Sequence, residues 1–302
     1  MSRRAWLITA LSVVGLVMAI RFGLAFPWSA TVNALADADP LLLAAAGGAN
    51  IVSLLAKGTV WYLLVRRVAP VRLATAQSAT LVAAAVNSIT VAGSGEAVRG
   101  QLLHDRDGVA YSAAFGSLLA TRIVEGMGLV MLLALAFPVI RLVPGTLGWS
   151  VAWMVLGLAL IACVLIVNSR RWHPSIAGLV PGRGLGWIPL AGMAALNWGA
   201  QWIAYHWSIE ATHVAITPAV SLTALVAANL AGILRLTPGN VGVIQGSIVL
   251  GLEAFKIPAA QALAGGLALQ AVQVLPVLAI ALAFVGARGF RQLASQRAGT
   301  VS

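Results

Sequence analysis

The 302 residues predict an all-α, polytopic transmembrane bundle: eight full helices plus two short broken or re-entrant helices in an inverted repeat. Three observations predict it. The chain is 60% hydrophobic and only 9% charged, where a soluble domain carries roughly 25% charged residues. Apolar runs close to the roughly 20 residues that cross a bilayer recur along its length. Two glycine-rich stretches, 93–104 and 238–255, interrupt those runs and resemble each other. Helices keep every backbone polar group satisfied in lipid, so apolar runs of this length are expected to be helical.

The first run, Trp6–Phe26, follows Arg3 and Arg4. It has the basic start and apolar core of a signal peptide, but it is close to spanning length and no clear A-x-A cleavage site follows, so a retained first helix is expected. Further full helices are expected near 41–65, 73–92, 112–139, 147–168, 187–209, 216–235 and 260–286. The longest polar stretch, 168–186, is only a loop, so 1–302 is one integral membrane domain. Trp6, Trp28, Trp61, Trp149, Trp172 and Trp187 stand near segment ends and fit an interfacial belt. The single cysteine, Cys163, lies in an apolar run and excludes an intrachain disulfide. His104, His173, His206 and His213 are scattered without metal-ligand spacing, so no metal or cofactor is expected.

The net charge of +11 belongs to membrane loops and not to nucleic-acid binding. Its distribution selects a topology. If both short stretches fold back to the side they came from, Arg106, Arg170, Arg171, Arg183, Arg235 and Lys256 fall outside. If each crosses in effect, the five arginines join Arg3, Arg4, Arg66, Arg67, Arg72, Arg288, Arg291 and Arg297 inside. The excess of basic residues in cytoplasmic loops prefers the second arrangement, with both termini cytoplasmic in a bacterial-type inner membrane. Length opposes it: a 12-residue helix reaches only about 18 Å, short of a hydrocarbon core of about 30 Å.

In that topology the two glycine-rich units run in opposite directions. GSGEAVRG (93–100) aligns with GNVGVIQG (239–246), placing Arg99 on Gln245. After a two-residue slip, SLLATRIVEG (117–126) aligns with GGLALQAVQV (265–274), placing Arg122 on Gln270 and Glu125 on Gln273. The repeat units are about 73–139 and 216–286. Inverted repeats whose broken helices meet near the midplane are a recurring transporter plan.

Ionisable residues inside the membrane mark the candidate site, since each costs about 2.5–3.5 kcal/mol to insert. Arg122 and Glu125 share a helix face, as do Glu96 and Arg99. One reading is an ionic lock between two helices. The other lends an arginine to a phosphate, which its planar fork binds bidentately. Ser94 and Asn240 are expected N-caps of the short helices, whose free N–H groups suit an anion; the same glycines also suit tight packing. Lys57, alone in its segment, needs a partner. Asn87, Asn197, Gln201 and Asn229 are expected to make interhelical hydrogen bonds. His104-Asp105-Arg106-Asp107 contains a D-x-D pattern and is expected to be a solvated turn.

Asn87 closing one helix, then Gly95, Glu96 and Arg99 as G-E-x-x-R, then Arg122 and Glu125 as R-x-x-E, then Pro238, Gly239 and Gly242 as P-G-x-x-G resembles the lysylphosphatidylglycerol synthase transmembrane family, also called flippase-like. The resemblance is strongest over 87–135 and 229–285. It implies a lipid-handling membrane domain, here without the fused aminoacyl-transferase domain that makes the lipid. One departure is that Gln245 stands where the family often has an acid.

The expected function is a lipid transporter that binds an anionic phospho- or polyprenyl-phosphate-linked headgroup and moves it across the bilayer. Glu96, Arg99, Arg122, Glu125, Ser94, Asn240, Gln245, Gln270, Gln273 and Lys57 are its candidate binding residues. Two alternatives are a membrane glycosyltransferase or lipid-modifying transferase, using Asp105, Asp107 or Glu96, and a scaffold subunit for a lipid-pathway enzyme.

Overall fold

The computed structural model describes residues 28–90, 94–136, 185–232 and 237–299. Trp6–Phe26, the 147–168 run with Cys163, residues 168–184 of the expected loop and Arg235 fall outside these. The described residues form nine α-helices and two 3₁₀ turns, with no strand. They are α1 (Trp28–Ala36), α2 (Pro40–Val65), α3 (Leu73–Ile89), α4 (Ser94–Asp107), α5 (Tyr111–Ala136), α6 (Ile188–Glu210), α7 (Pro218–Gly232), α8 (Val243–Glu253) and α9 (Ala259–Gly299). The helices α2, α5 and α9 contain stretches long and apolar enough to cross a membrane. The chain is a multi-pass membrane protein.

The frame is an antiparallel pair, α2 and α6. Asp39 caps α2 by accepting from the backbone N–H of Leu41 (2.8 Å) and Leu42 (3.2 Å), with Pro40 preset for the first turn. The Asp39 N–H in turn donates to the Ala211 carbonyl (2.9 Å) at the far end of α6. Midway, Ser53 donates to Asn197 Oδ1 (2.8 Å). At the opposite end Leu190 packs on Val60 and Leu64. Such packing and interhelical hydrogen bonds, about 0.6 kcal/mol each, hold helices together in lipid, where burial of apolar surface no longer drives association.

Two helical hairpins enter this frame. The α3 and α4 helices run antiparallel. Arg72 Nε donates to Asp107 Oδ1 (2.7 Å) at their open end, and the Gly95 N–H donates to Asn87 Oδ1 (2.9 Å) at their tip. Gly95 is required there, because a Cβ would run into the Ala83 carbonyl and the Asn87 amide. The α7 and α8 helices form the second hairpin, with Gly251 against Thr223 and Ala227 and Asn240 Nδ2 donating to the Gly232 carbonyl (3.3 Å) at the tip. The first hairpin opens at the Arg72 end of the frame, just beyond Val65. The second opens at the Asp39 end, where α6 stops and Thr31 of α1 donates to the Ala260 carbonyl at the start of α9 (3.3 Å). Their tips touch: Gly239, at φ +59°, lies so close to Ser88 that a Cβ would sit 2.6 Å from its carbonyl oxygen.

Several expectations need correction. The runs near 73–92 and 216–235, counted as full crossings, are hairpin arms of 17 and 15 residues. Apolar length cannot separate a crossing from an arm that turns back inside the bundle. A short α4 therefore has no need to span the membrane. It returns to the Arg72 end, where Arg106 donates to Ser78 Oγ (2.7 Å), so Arg106 and Arg72 share one end of the molecule. Trp28–Ala36, which lies between the expected helices 6–26 and 41–65, is itself a helix, and α9 continues past 286 with Pro276 inside it. Trp61 is wholly buried among helices and not at an interface.

Candidate functional site

Five ionisable side chains converge where the first hairpin's tip meets α2 and α5. The Arg122 and Glu125 side chains project from one face of α5, one turn apart. Glu125 Oε2 accepts from Arg122 NH1 (3.1 Å), and Glu125 Oε1 pairs with Lys57 Nζ on α2 (3.1 Å). Arg122 NH2 also pairs with Glu96 Oε1 on the first turn of α4. One turn further along α4, the Arg99 guanidinium lies over the Trp61 ring, 4.2 Å from its centroid. Trp61 is held in turn by its Nε1, which donates to Ser117 Oγ (2.9 Å). Arg99 is only 4% exposed, and among the described residues neither its Nε nor one terminal nitrogen has a hydrogen-bond partner. Three cations face two carboxylates, which leaves a net positive charge inside the bundle. A buried charge persists only where something compensates it.

Beside this cluster, between the two hairpin tips, is a cavity of about 530 Å³. Arg122 and Glu125 of α5 line it, together with Gln270 and Gln273 of α9, Asn87 and Asn229 of the hairpin arms, and Asn240 of the second tip. Two of the residue pairs that the repeat alignment superposes, Arg122 with Gln270 and Glu125 with Gln273, border the same space, whereas Arg99 and Gln245 lie behind it. Gln245 is buried behind Gln270. Its Nε2 donates to Gln270 Oε1 (3.4 Å) and its Oε1 accepts the Gly242 N–H (2.7 Å).

That last bond corrects the expected cap. Gly242, at φ +85°, is the N-cap of α8, and Gln245 closes it from the third helical position. Asn240 sits before the helix in the left-handed region at φ +54°, a region asparagine tolerates better than most residues. Ser94 is the first residue of α4, with its hydroxyl on that of Thr90. Of the candidate residues, Arg122, Glu125, Asn240, Gln270 and Gln273 line the cavity. Lys57, Glu96 and Arg99 join it through the charged cluster. Ser94 and Gln245 support the two short helices.

The chain matches the lysylphosphatidylglycerol synthase TM region over residues 7–281. It belongs to that family. No curated protein matches it. The lysylphosphatidylglycerol synthase TM region is a membrane domain linked with lipid handling.

Two tryptophans in this family member were missed as site residues. Trp198 lines the cavity, and its Nε1 donates to the Glu125 carbonyl (3.2 Å) across a gap that a side chain on Gly128 would fill. Its position in the middle of a predicted helix is the available signal, since a buried indole N–H needs an acceptor. Trp61, beneath Arg99, stood too near a segment end to show one. Asn197 makes the expected interhelical bond, whereas Asn229 donates to Leu225 O of its own helix (2.8 Å).

The D-x-D residues form the last turn of α4 and not a separate loop, with Asp105 exposed as expected and Asp107 partly buried. Asp107 accepts from the Arg72 backbone N–H (3.0 Å) and Thr75 Oγ1 (3.2 Å) as well as from Arg72 Nε. Burial alone would raise the Asp107 carboxyl, but these bonds from Arg72 and Thr75 outweigh it and hold the group below its usual range. Asp105 accepts from Gln101 Nε2 (2.7 Å).

Proposed function

We propose that the protein binds the phosphate of an anionic lipid in the cavity between the hairpin tips and moves the headgroup across the membrane. One observation carries this reading: the charged cluster bordering the cavity holds one more cation than carboxylate, with Arg99 buried and short of acceptors. An anion removes that excess. Arg122 is the residue of the cluster that reaches the cavity with a fork suited to phosphate. Glu96, Glu125 and Lys57 hold Arg122 in place, and Arg99 adds positive potential from behind.

The two hairpins are read as inverted repeats, each opening toward one end of the frame. Alternating access follows if one hairpin parts from its tip contact while the other stays closed, leaving the acyl or prenyl tails in the bilayer. The arginine distribution supports a reading with both termini in the cytoplasm of a bacterial-type cell and the Arg72 end inside. A lipid-pathway enzyme is a natural partner for such a carrier. A transferase reading has less support, because Asp105 and Asp107 are both engaged in closing α4.

The test is lipid scrambling or directional transfer in liposomes containing the purified protein. Arg122→Ala, correctly inserted, is expected to abolish transfer, and Arg99→Ala to slow it at least about tenfold, one decade corresponding to 1.4 kcal/mol. Wild-type rates in both variants would defeat the reading.

A further inference from the structure

Resting on that reading, we propose that the cavity is built for a phosphate bearing a polyhydroxylated group, such as an inositol or a sugar, in preference to a bare phosphate or an aminoacyl group. Beyond Arg122 and Glu125, the polar lining is chiefly primary amides, Asn87, Gln201, Asn229, Asn240, Gln270 and Gln273, with three hydroxyl side chains at the hairpin tips beside them. A primary amide offers two donors and an acceptor, and a hydroxyl both donates and accepts. Adjacent amides therefore pair with adjacent hydroxyls without importing charge. Asn240 Oδ1 is buried with no hydrogen-bond partner among the described residues, and the contacts of Gln270 to Gly239 and Gln245 are long, at 3.3 and 3.4 Å. These groups can exchange partners at little loss.

Trp198 and Tyr205 add aromatic wall to the same space, against which the C–H face of a ring can lie. The volume of about 530 Å³ admits a ring and a phosphate. The charge balance points away from an aminoacyl headgroup. Its ammonium would enter beside a cluster already in positive excess, where Glu125 is shared by Lys57 and Arg122 and Glu96 is paired with Arg122. A bare phosphate reaches only part of the amide wall and leaves the rest to water, and sites built for hydroxyls discriminate strongly against ligands that lack them.

Native mass spectrometry of the full chain in detergent, titrated with phosphatidylinositol, phosphatidic acid, phosphatidylglycerol and lysylphosphatidylglycerol, tests this. Phosphatidylinositol is expected to bind about tenfold tighter than phosphatidic acid, the effect of about two net hydrogen bonds, and lysylphosphatidylglycerol weakest. The ratio of phosphatidylinositol to phosphatidic acid binding should fall toward one in Gln270→Leu. Asn229→Leu, whose amide bonds only its own helix, provides a second variant should the first not fold. A wild-type ratio of one, or preference for the lysyl lipid, overturns the inference while leaving phosphate binding at Arg122 intact. Equal binding of all four lipids by wild type and Arg122→Gln overturns the underlying reading itself. Free inositol 1-phosphate competing as well as the lipid would support the headgroup chemistry and overturn the lipid as its source.

Discussion

The two hairpins share a design and differ in charge. Each is a pair of short antiparallel helices, entering from opposite ends of the frame, with a tip closed by an asparagine: Asn87 on the Gly95 N–H, Asn240 on the Gly232 carbonyl. Each presents a short helix to a long one, α4 to α5 and α8 to α9. In the first contact Arg122 is ion-paired to Glu96; in the second Gln245 is hydrogen-bonded to Gln270. The neutral half shows that this geometry needs no ions to hold it. The ions of the first half are therefore not explained by tip geometry alone, which fits the proposal that they face a charged ligand, while the amide half supplies further cavity wall.

Removing one member of each half gives the largest expected difference. Glu125→Gln leaves Lys57, Arg99 and Arg122 facing Glu96 alone. Breaking a buried ion pair from one side typically costs about 3–5 kcal/mol, so a large drop in unfolding midpoint in detergent is expected. Gln273→Leu removes only neutral bonding, about 1 kcal/mol. Equal losses in the two variants would erase the distinction between the halves.

The shared design is tested at the glycines. Gly239→Ala sets a Cβ against the Ser88 carbonyl at a positive φ. It should cost about 1–3 kcal/mol and separate the tips, read as faster proteolysis or hydrogen exchange at 237–242. Gly246→Ala, in the same hairpin but inside α8 with nothing within 4 Å, should stabilise by about 0.5–1 kcal/mol. If both substitutions behaved alike, close tip packing would not be what the Gly239 position requires.

Much of this was legible in the sequence, and the limits have physical causes. The glycine breaks announced the two short helices, and the i, i+3 charges of Glu96–Arg99 and Arg122–Glu125 announced the cluster, because an ion in lipid must find company. Lys57 announced that it needed a partner but not that the partner was Glu125, since helix adjacency is a tertiary property. The hairpins were missed because α3 and α7 are apolar enough to cross, and apolarity measures what surrounds a helix, not where it turns. Trp61 was misplaced because the aromatic-belt rule weighs distance from a segment end. Its indole instead lies under Arg99 and donates to Ser117. The α8 cap fell to Gly242 and not Asn240 because the backbone there turns through two successive positive-φ glycines, Gly239 and Gly242, with Asn240 between them.

The smallest effect concerns the open ends. The first hairpin is pinned there by a carboxylate, with Asp107 accepting from Arg72 and Thr75. At the open end of the second, the Lys256 N–H bonds the Glu253 carbonyl and no ion pair is found among the described residues of the α7–α8 hairpin. The Asp107 carboxyl is held below its usual range when folded. Its stabilisation is therefore complete above the unfolded value, near pH 4, and is lost as pH falls through the lower folded value. Arg72 is largely exposed, so the ionic part is worth at most about 1 kcal/mol. Wild type should melt slightly above Asp107→Asn at pH 7, and the gap should close on acidification below about pH 4. A gap that stayed constant from pH 7 to pH 3 would show that Asp107 acts through its shape and hydrogen bonds alone, and that the two open ends are fastened by the same kind of contact after all.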